Sequence, residues 1–279
     1  MIGSPNKLKD QLRNKERQLG IPANTLIHTY MMERLLERIS ASTYKDQFII
    51  KGGFLIASMI GIDLRSTLDL DTTIHGLKVD EDTIRSAIAE IMAINLEDHV
   101  QFSLDSLRNI REGGPYEDYR LVLCATFFTV KVMVKIDVTT GDAVVPREIE
   151  YAYPLLLEDR TIPIKAYNVQ TILAEKIETI LARNVTNTRA RDFYDVYMLI
   201  KTQGDAFDRR LLKAALEVKG KERGTSAYVE NFTVYLAQIN DSPELLRMWT
   251  AYQNQYAYAA GITFTEVIDQ IRDLMDLTW

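Results

Sequence analysis

The stretch KGGFLIASMIGIDLRSTLDLDTTIHG, residues 51–76, decides the fold. Before it comes the apolar run FII, and within it Gly52-Gly53 is followed by FLIASMI. That order predicts a short strand, a glycine turn and an apolar helix. The segment RSTLDLDTTI then alternates with period two, which predicts a second strand. Side chains at i and i+2 of a strand point the same way. Asp69 and Asp71 therefore share a face with Thr67 and Thr73, while Leu68, Leu70 and Ile74 face a core. At about 3.3 Å of rise per residue, the two aspartates sit roughly 6.5–7 Å apart at Cα. Carboxylate oxygens converge across such a span on a hard cation such as Mg²⁺. Aspartate is a poor strand former and is rarely buried without a partner. The pair is therefore either a polar strand edge or the seat of something positive.

A later strand adds a third carboxylate. In TVKVMVKIDV, Val130, Val132, Val134, Ile136 and Val138 form one face, and Lys131, Met133, Lys135 and Asp137 the other. Each aspartate read alone is an exposed strand residue. Three carboxylates from two strands, however, form an arrangement that holds two metal ions for phosphoryl or nucleotidyl transfer. A glycine pair opening a helix lets backbone amides and the helix dipole meet phosphate. A lone glycine pair is weak evidence; the ordered set is stronger.

The helix VQTILAEKIETILARN breaks its own pattern. Val169, Ile172, Leu173, Ile177 and Ile180 define its apolar face, with Lys176 inside that face and Arg183 at its edge. Both point towards the protein body, either as snorkelling stems or as cations aimed at a triphosphate. In RARDFYDVYMLI, Phe193, Val196, Tyr197 and Ile200 face the core. Asp192 and Asp195 lie on its flank at i, i+3, where Asp192 is placed to orient Lys176 or Arg183; the plainer alternative is a solvated helix start.

The chain has 279 residues, 47% hydrophobic and 26% charged, with net charge −6. These values describe an ordinary globular chain and argue against indiscriminate nucleic-acid coating. The single cysteine, Cys124, rules out an internal disulfide and is expected to be a small buried hydrophobe. The start MIGSPNKLKDQLRNKERQLG is too charged for a signal peptide, and no apolar run reaches a membrane span, so a cytoplasmic location is expected. Helices are expected over 6–19, over IPANTLIHTYMMERLLERIS with Asn24 or Thr25 as cap, and over DEDTIRSAIAEIMAIN. The segments VQFSLDSLRNI and YRLVLCATFF are strand-like and separated by the turn REGGPYED. The expected organisation is an N-terminal helical segment (1–45), an α/β core (46–142) and a mainly helical C-terminal region (143–279) that completes a cleft. Residues 201–223 carry seven Lys and Arg against four acids, a candidate phosphate-backbone contact, while 241–279 are net acidic.

Together GGF, RSTLDLD, VKIDV, AEKIET and RARDFYD, in this order, resemble the AbiEii-type nucleotidyltransferase toxins, which include the MenT toxins. The matched span is about residues 50–200. The resemblance implies a polymerase-β-like nucleotidyltransferase fold: a mixed-sheet α/β core with a mainly helical C-terminal half. It implies a toxin of a bacterial toxin–antitoxin system of the abortive-infection, phage-resistance kind. Asp69, Asp71 and Asp137 would hold Mg²⁺ or Mn²⁺. Gly52, Gly53, Arg65, Thr67, Lys176 and Arg183 would bind the nucleotide, GTP first. Lys176 and Asp192 would serve in catalysis, with Asp195 and Arg191 behind them. The implied partners are an NTP, a tRNA acceptor and an antitoxin encoded nearby that acts with or without direct contact. Phe54 departs from the family's Ser or Thr after the glycines, which leaves backbone amides alone to meet the β- and γ-phosphates. An antibiotic-type small-molecule nucleotidyltransferase and an inert nucleotide-binding module are the alternatives.

Overall fold

A computed structural model describes residues 2–65, 67–78, 80–110, 118–204 and 207–279. Two compact units account for the chain: Met1–Asp142 with Ile149–Ala166, and Ala143–Glu148 with Tyr167–Trp279.

The first unit is built on a mixed sheet. Its strands are β1 (Phe48–Lys51), β2 (Asp69–Ile74), β3 (Val100–Asn109), β4 (Tyr119–Phe127), β5 (Val130–Thr140), β6 (Ile149–Pro154) and β7 (Thr161–Ala166). Among the described residues they form one seven-stranded sheet in the order β3-β4-β5-β2-β1-β7-β6. β2 runs parallel to β5 and β1 parallel to β7; the other neighbours are antiparallel. The helices are α1 (Pro5–Leu19), α2 (Ala23–Ala41), α3 (Gly52–Ile60) and α4 (Glu81–Ala93). α2 packs on β5 and β7, α3 on β1 and β2, and α4 on β3. Val132, Val134, Ile136 and Val138 are buried beneath these helices, as the alternation predicts. Lys131, Met133 and Lys135 are exposed on the opposite face.

Several local expectations shift. α2 starts after Pro22 with no side-chain cap, because proline's fixed φ suits a helix entry and leaves Asn24 and Thr25 inside the first turn. β2 begins only at Asp69, so Leu68 lies before the strand and is exposed rather than in the core. Cys124 falls on the Val122/Thr126 side of β4 and is only half-buried, with Sγ near the Thr126 hydroxyl. Ser66 and the turn at 111–117 lie outside the described residues.

The second unit is helical: α5 (Val169–Arg183), α6 (Ala190–Gln203), α7 (Arg209–Arg223), α8 (Ser226–Glu230), α9 (Phe232–Asn240), α10 (Pro243–Gln255) and α11 (Phe264–Asp276). Asn168 caps α5 by accepting from the Thr171 amide, and Thr263 with Glu266 closes a capping box on α11. Ile177, Phe193, Val196, Leu212, Trp249 and Ile268 share its core. Among the described residues no helix is long and apolar enough to cross a membrane.

Candidate active site

The register of the sheet assembles a row that no single segment displays. Lys51 on β1 pairs with Asp71 on β2, Asp71 with Asp137 on β5, and Asp137 with Arg120 on β4. Register partners stand on one face. Four adjacent strands thus carry positive, negative, negative and positive side chains in line. Asp69 pairs with Lys135 one step along, and both are exposed.

The outer cations are held differently. Arg120 grips Asp137 as a fork, Nε to Oδ1 at 2.7 Å and Nη2 to Oδ2 at 2.6 Å. Lys51 Nζ contacts Asp142 Oδ2 at 2.5 Å, and the Thr139 hydroxyl donates to the same carboxylate at 2.8 Å. Asp71 is the least compensated member. Burial pushes its carboxyl above the ordinary range; Lys51 and the Gly53 amide pull it down, and Asp137 and Asp69 add to the rise.

The glycine pair is dictated by this row. Gly52 has φ +66°, and a Cβ there would lie 2.0 Å from Asp71 Oδ2. A Cβ on Gly53 would strike the Arg65 guanidinium at 2.3 Å. The Gly53 amide donates to Asp71 Oδ2 at 3.4 Å. The turn therefore presses Asp71 against the N-terminus of α3. Arg65 is buried with its guanidinium against Gly53, and 4% of its surface is exposed. Thr67 accepts a hydrogen bond from the Asp69 amide at 3.4 Å and bounds the entry to β2.

The second unit places the other expected residues. Lys176 Nζ lies 2.6 Å from Asp192 Oδ1 and 2.9 Å from Asp195 Oδ2, and Asp195 is fully buried. Lys176 is thus neither a snorkelling stem nor a bare cation; it is clamped between two carboxylates. Arg191 donates to the Tyr256 hydroxyl at 3.0 Å and lies over that ring. Arg183 is exposed, not turned to the body, because it ends α5 where the chain leaves the helix. The basic segment 201–223 is less available than its composition predicts. Lys219 is buried between Glu175 and Glu222, and Arg223 is paired with Glu178.

Lys51, Arg120 and Asp142 were not singled out by sequence. Only Arg120 left a usable trace, its place opposite Asp137 across a two-residue hairpin. Among the described residues no three His, Cys, Asp or Glu side chains converge closely enough to hold a metal ion. The donor chemistry still suits a hard cation: Asp71 and Asp137 are oxygen donors on directly paired positions, and burial together with the neighbouring acid raises Asp71.

The family model for the AbiEii toxin, described as a nucleotidyl transferase of type IV toxin–antitoxin systems, matches residues 34–271. The chain belongs to this family. The AbiEii assignment makes it a nucleotidyltransferase and the toxin component of a toxin–antitoxin system, which implies an NTP substrate and an antitoxin. No curated protein sequence matches the chain significantly. Among solved structures, MenT4, a nucleotidyltransferase toxin from Mycobacterium tuberculosis H37Rv, is similar over 94% of this chain and 98% of that chain, at 15% identity and TM-score 0.55. That likeness supports the nucleotidyltransferase fold. JHP933 from Helicobacter pylori aligns over 93% of this chain and 100% of that chain, at 15% identity and TM-score 0.47.

Proposed function

We propose that this AbiEii-family toxin transfers a nucleotide from an NTP, GTP first, to the 3′ end of tRNA and so blocks growth in an abortive-infection response to phage. The observation that carries the reading is the direct pairing of Asp71 with Asp137 beside the Gly52-Gly53 turn. A divalent cation, Mg²⁺ or Mn²⁺, held by the paired Asp71 and Asp137, with Asp69 drawn in as the third ligand on binding, would supply charge neutralisation and orientation of the triphosphate.

The chain's own groups do the rest. The Gly52-Gly53 amides and the N-terminus of α3 receive phosphate oxygens. Lys51 and Arg120 bracket the row and balance charge that develops on the transferred phosphoryl group. Asp137 takes the proton of the attacking hydroxyl, a role that requires Arg120 to release one of its oxygens. The acceptor oxygen bonds to the α-phosphorus as the bond to pyrophosphate breaks. Lys176, oriented by Asp192 and Asp195, is assigned to the triphosphate. Thr67 is assigned to the nucleotide at the entry to β2. Three parts, an N-terminal helical segment, an α/β core and a helical C-terminal region, remain our functional division of a cytoplasmic protein. The partner is an antitoxin encoded nearby, which acts with or without direct contact.

The test is incubation with each α-labelled NTP and either total tRNA or aminoglycosides. Label on tRNA, lost in Asp71→Ala, supports the reading. Label on aminoglycosides moves the protein to antibiotic modification, and no transfer to any acceptor leaves an inert nucleotide-binding module.

A further inference from the structure

The first unit holds a half-open cavity of about 290 Å³ between α1, α2, α3, the loop after α3 and the end of β6 with the chain that follows it. One wall is a stacked aromatic pair, Phe54 and Tyr153, with ring centroids 5.0 Å apart and planes within 8°. Another part of the lining is Glu33 on α2, 1% exposed. Its Oε1 accepts from the Leu156 amide at 2.8 Å and the Tyr153 hydroxyl interacts with the carboxyl, whereas Oε2 is buried with no closely aligned hydrogen bond. A buried carboxyl oxygen without an aligned partner is costly and calls for a water, an ion or a ligand.

We propose that this cavity is a binding site for a small, planar, uncharged nitrogen heterocycle whose edge sets an N–H donor beside a ring-nitrogen acceptor, the edge that adenine and cytosine carry. The volume lies at the small end of ligand pockets and suits one or two fused rings. The aromatic wall suits a flat face. A protonated carboxyl offers one O–H donor and an adjacent acceptor oxygen, which is the complement of that edge. Burial keeps Glu33 in that form at neutral pH, with its carboxyl pushed up to about 8. Lys15 and Asp63 both line the cavity and offset one another, so the site has no net positive charge for a triphosphate. It is therefore a place for a base or nucleoside, and Thr67 at the entry to β2 lines it too, so it adjoins the phosphate turn. Phe54 directly follows Gly53, so an occupant touches the helix that carries that turn.

Calorimetric titration of the full chain in EDTA tests this, with adenine and cytosine as probes and indene as a ring-only control. We expect adenine or cytosine to bind once per chain and more tightly than indene. Glu33→Leu should weaken binding by about tenfold or more. Ala57→Phe, which fills the cavity from α3, should abolish binding, with a melting curve confirming that the variant is folded. Glu33→Gln keeps a donor and an acceptor and should retain binding. Binding should also persist in Asp71→Asn, which separates this site from the charged row. Failure of both bases to bind, binding unchanged in folded Ala57→Phe, or indene binding as tightly as adenine would each overturn the proposal.

Discussion

Two charge clusters in this molecule use the same residue types in opposite order. On the sheet of the first unit, Lys51, Asp71, Asp137 and Arg120 stand in line with the two acids adjacent at the centre. In the second unit, Lys176 sits between Asp192 and Asp195, with the cation at the centre. The first order leaves like charges facing one another, and Asp71 is raised as a result of burial and its acidic neighbours. The second order satisfies every member. A site that must accept a cation or shed repulsion on binding has the first form. A cluster that fixes two helices has the second. The contrast separates a row whose like charges call for a cation from a cluster whose lysine is already balanced and held in place.

The sharpest break between the two clusters is functional. Asp71→Asn should cut nucleotide transfer by about a thousandfold or more, the scale of losing a principal electrostatic group in a transfer site. The same change removes a like-charge contact, so the melting temperature of the unliganded protein should rise or stay level. Transfer assays and thermal unfolding on one preparation check both halves.

Lys176→Ala should do the reverse to stability. It leaves Asp195 buried without its cation, and breaking a buried pair from one side costs about 3–5 kcal/mol. This differs from the expectation of a bare substrate-facing lysine, whose loss would spare the fold. Chemical denaturation of Lys176→Ala beside Asp71→Asn measures the difference; equal stability in the two variants would erase the distinction drawn above.

Smaller effects sharpen the row itself. Arg120 is half exposed, so Arg120→Ala should cost less than about 1 kcal/mol of stability. If its fork competes for Asp137, the variant should bind Mg²⁺ more tightly than the parent by titration calorimetry. Unchanged affinity would place Asp137 outside the metal set.

The charged row was partly legible in the sequence, and the reason is geometric. Asp69 and Asp71 announce a shared face by their spacing, and Asp137 does so by alternation. Arg120 was legible too, had the hairpin been counted. Phe128-Thr129 is a two-residue turn that pairs Phe127 with Val130, and seven steps back along each strand bring Arg120 opposite Asp137. The strand order was not legible. That β2 lies beside β5, and that the hairpin β6–β7 returns to pair β7 with β1, depends on contacts between segments far apart in sequence. The clamp on Lys176 was half legible, since i, i+3 spacing joined Asp192 to Asp195 but did not show how deeply they are buried. Glu33 looked like any polar residue of α2. Its one backbone hydrogen bond comes from the Leu156 amide, 123 positions away.

Glu33 gives an effect on the pH profile of stability rather than on transfer. Its carboxyl is raised from 4.5 to about 8 by burial, with the Leu156 amide, Arg34 and Arg160 pulling down and Glu158 adding to the rise. The native state therefore holds that proton more tightly than the unfolded chain. This stabilisation is complete below about pH 4.5 and is lost as pH rises through about 8. Glu33→Gln should flatten the stability profile across that window, as read from denaturation midpoints at a series of pH values.

The central claim is that the paired acids of the sheet, not the clamped lysine of the helical unit, set the transfer chemistry. Single-turnover transfer from α-labelled NTP to total tRNA, at saturating Mg²⁺ and below each variant's melting temperature, tests it most directly. Asp71→Asn should show no transfer while remaining folded, and Lys176→Arg, which keeps the cation, should retain measurable transfer. Wild-type transfer by Asp71→Asn, with its melting curve intact, would contradict the account.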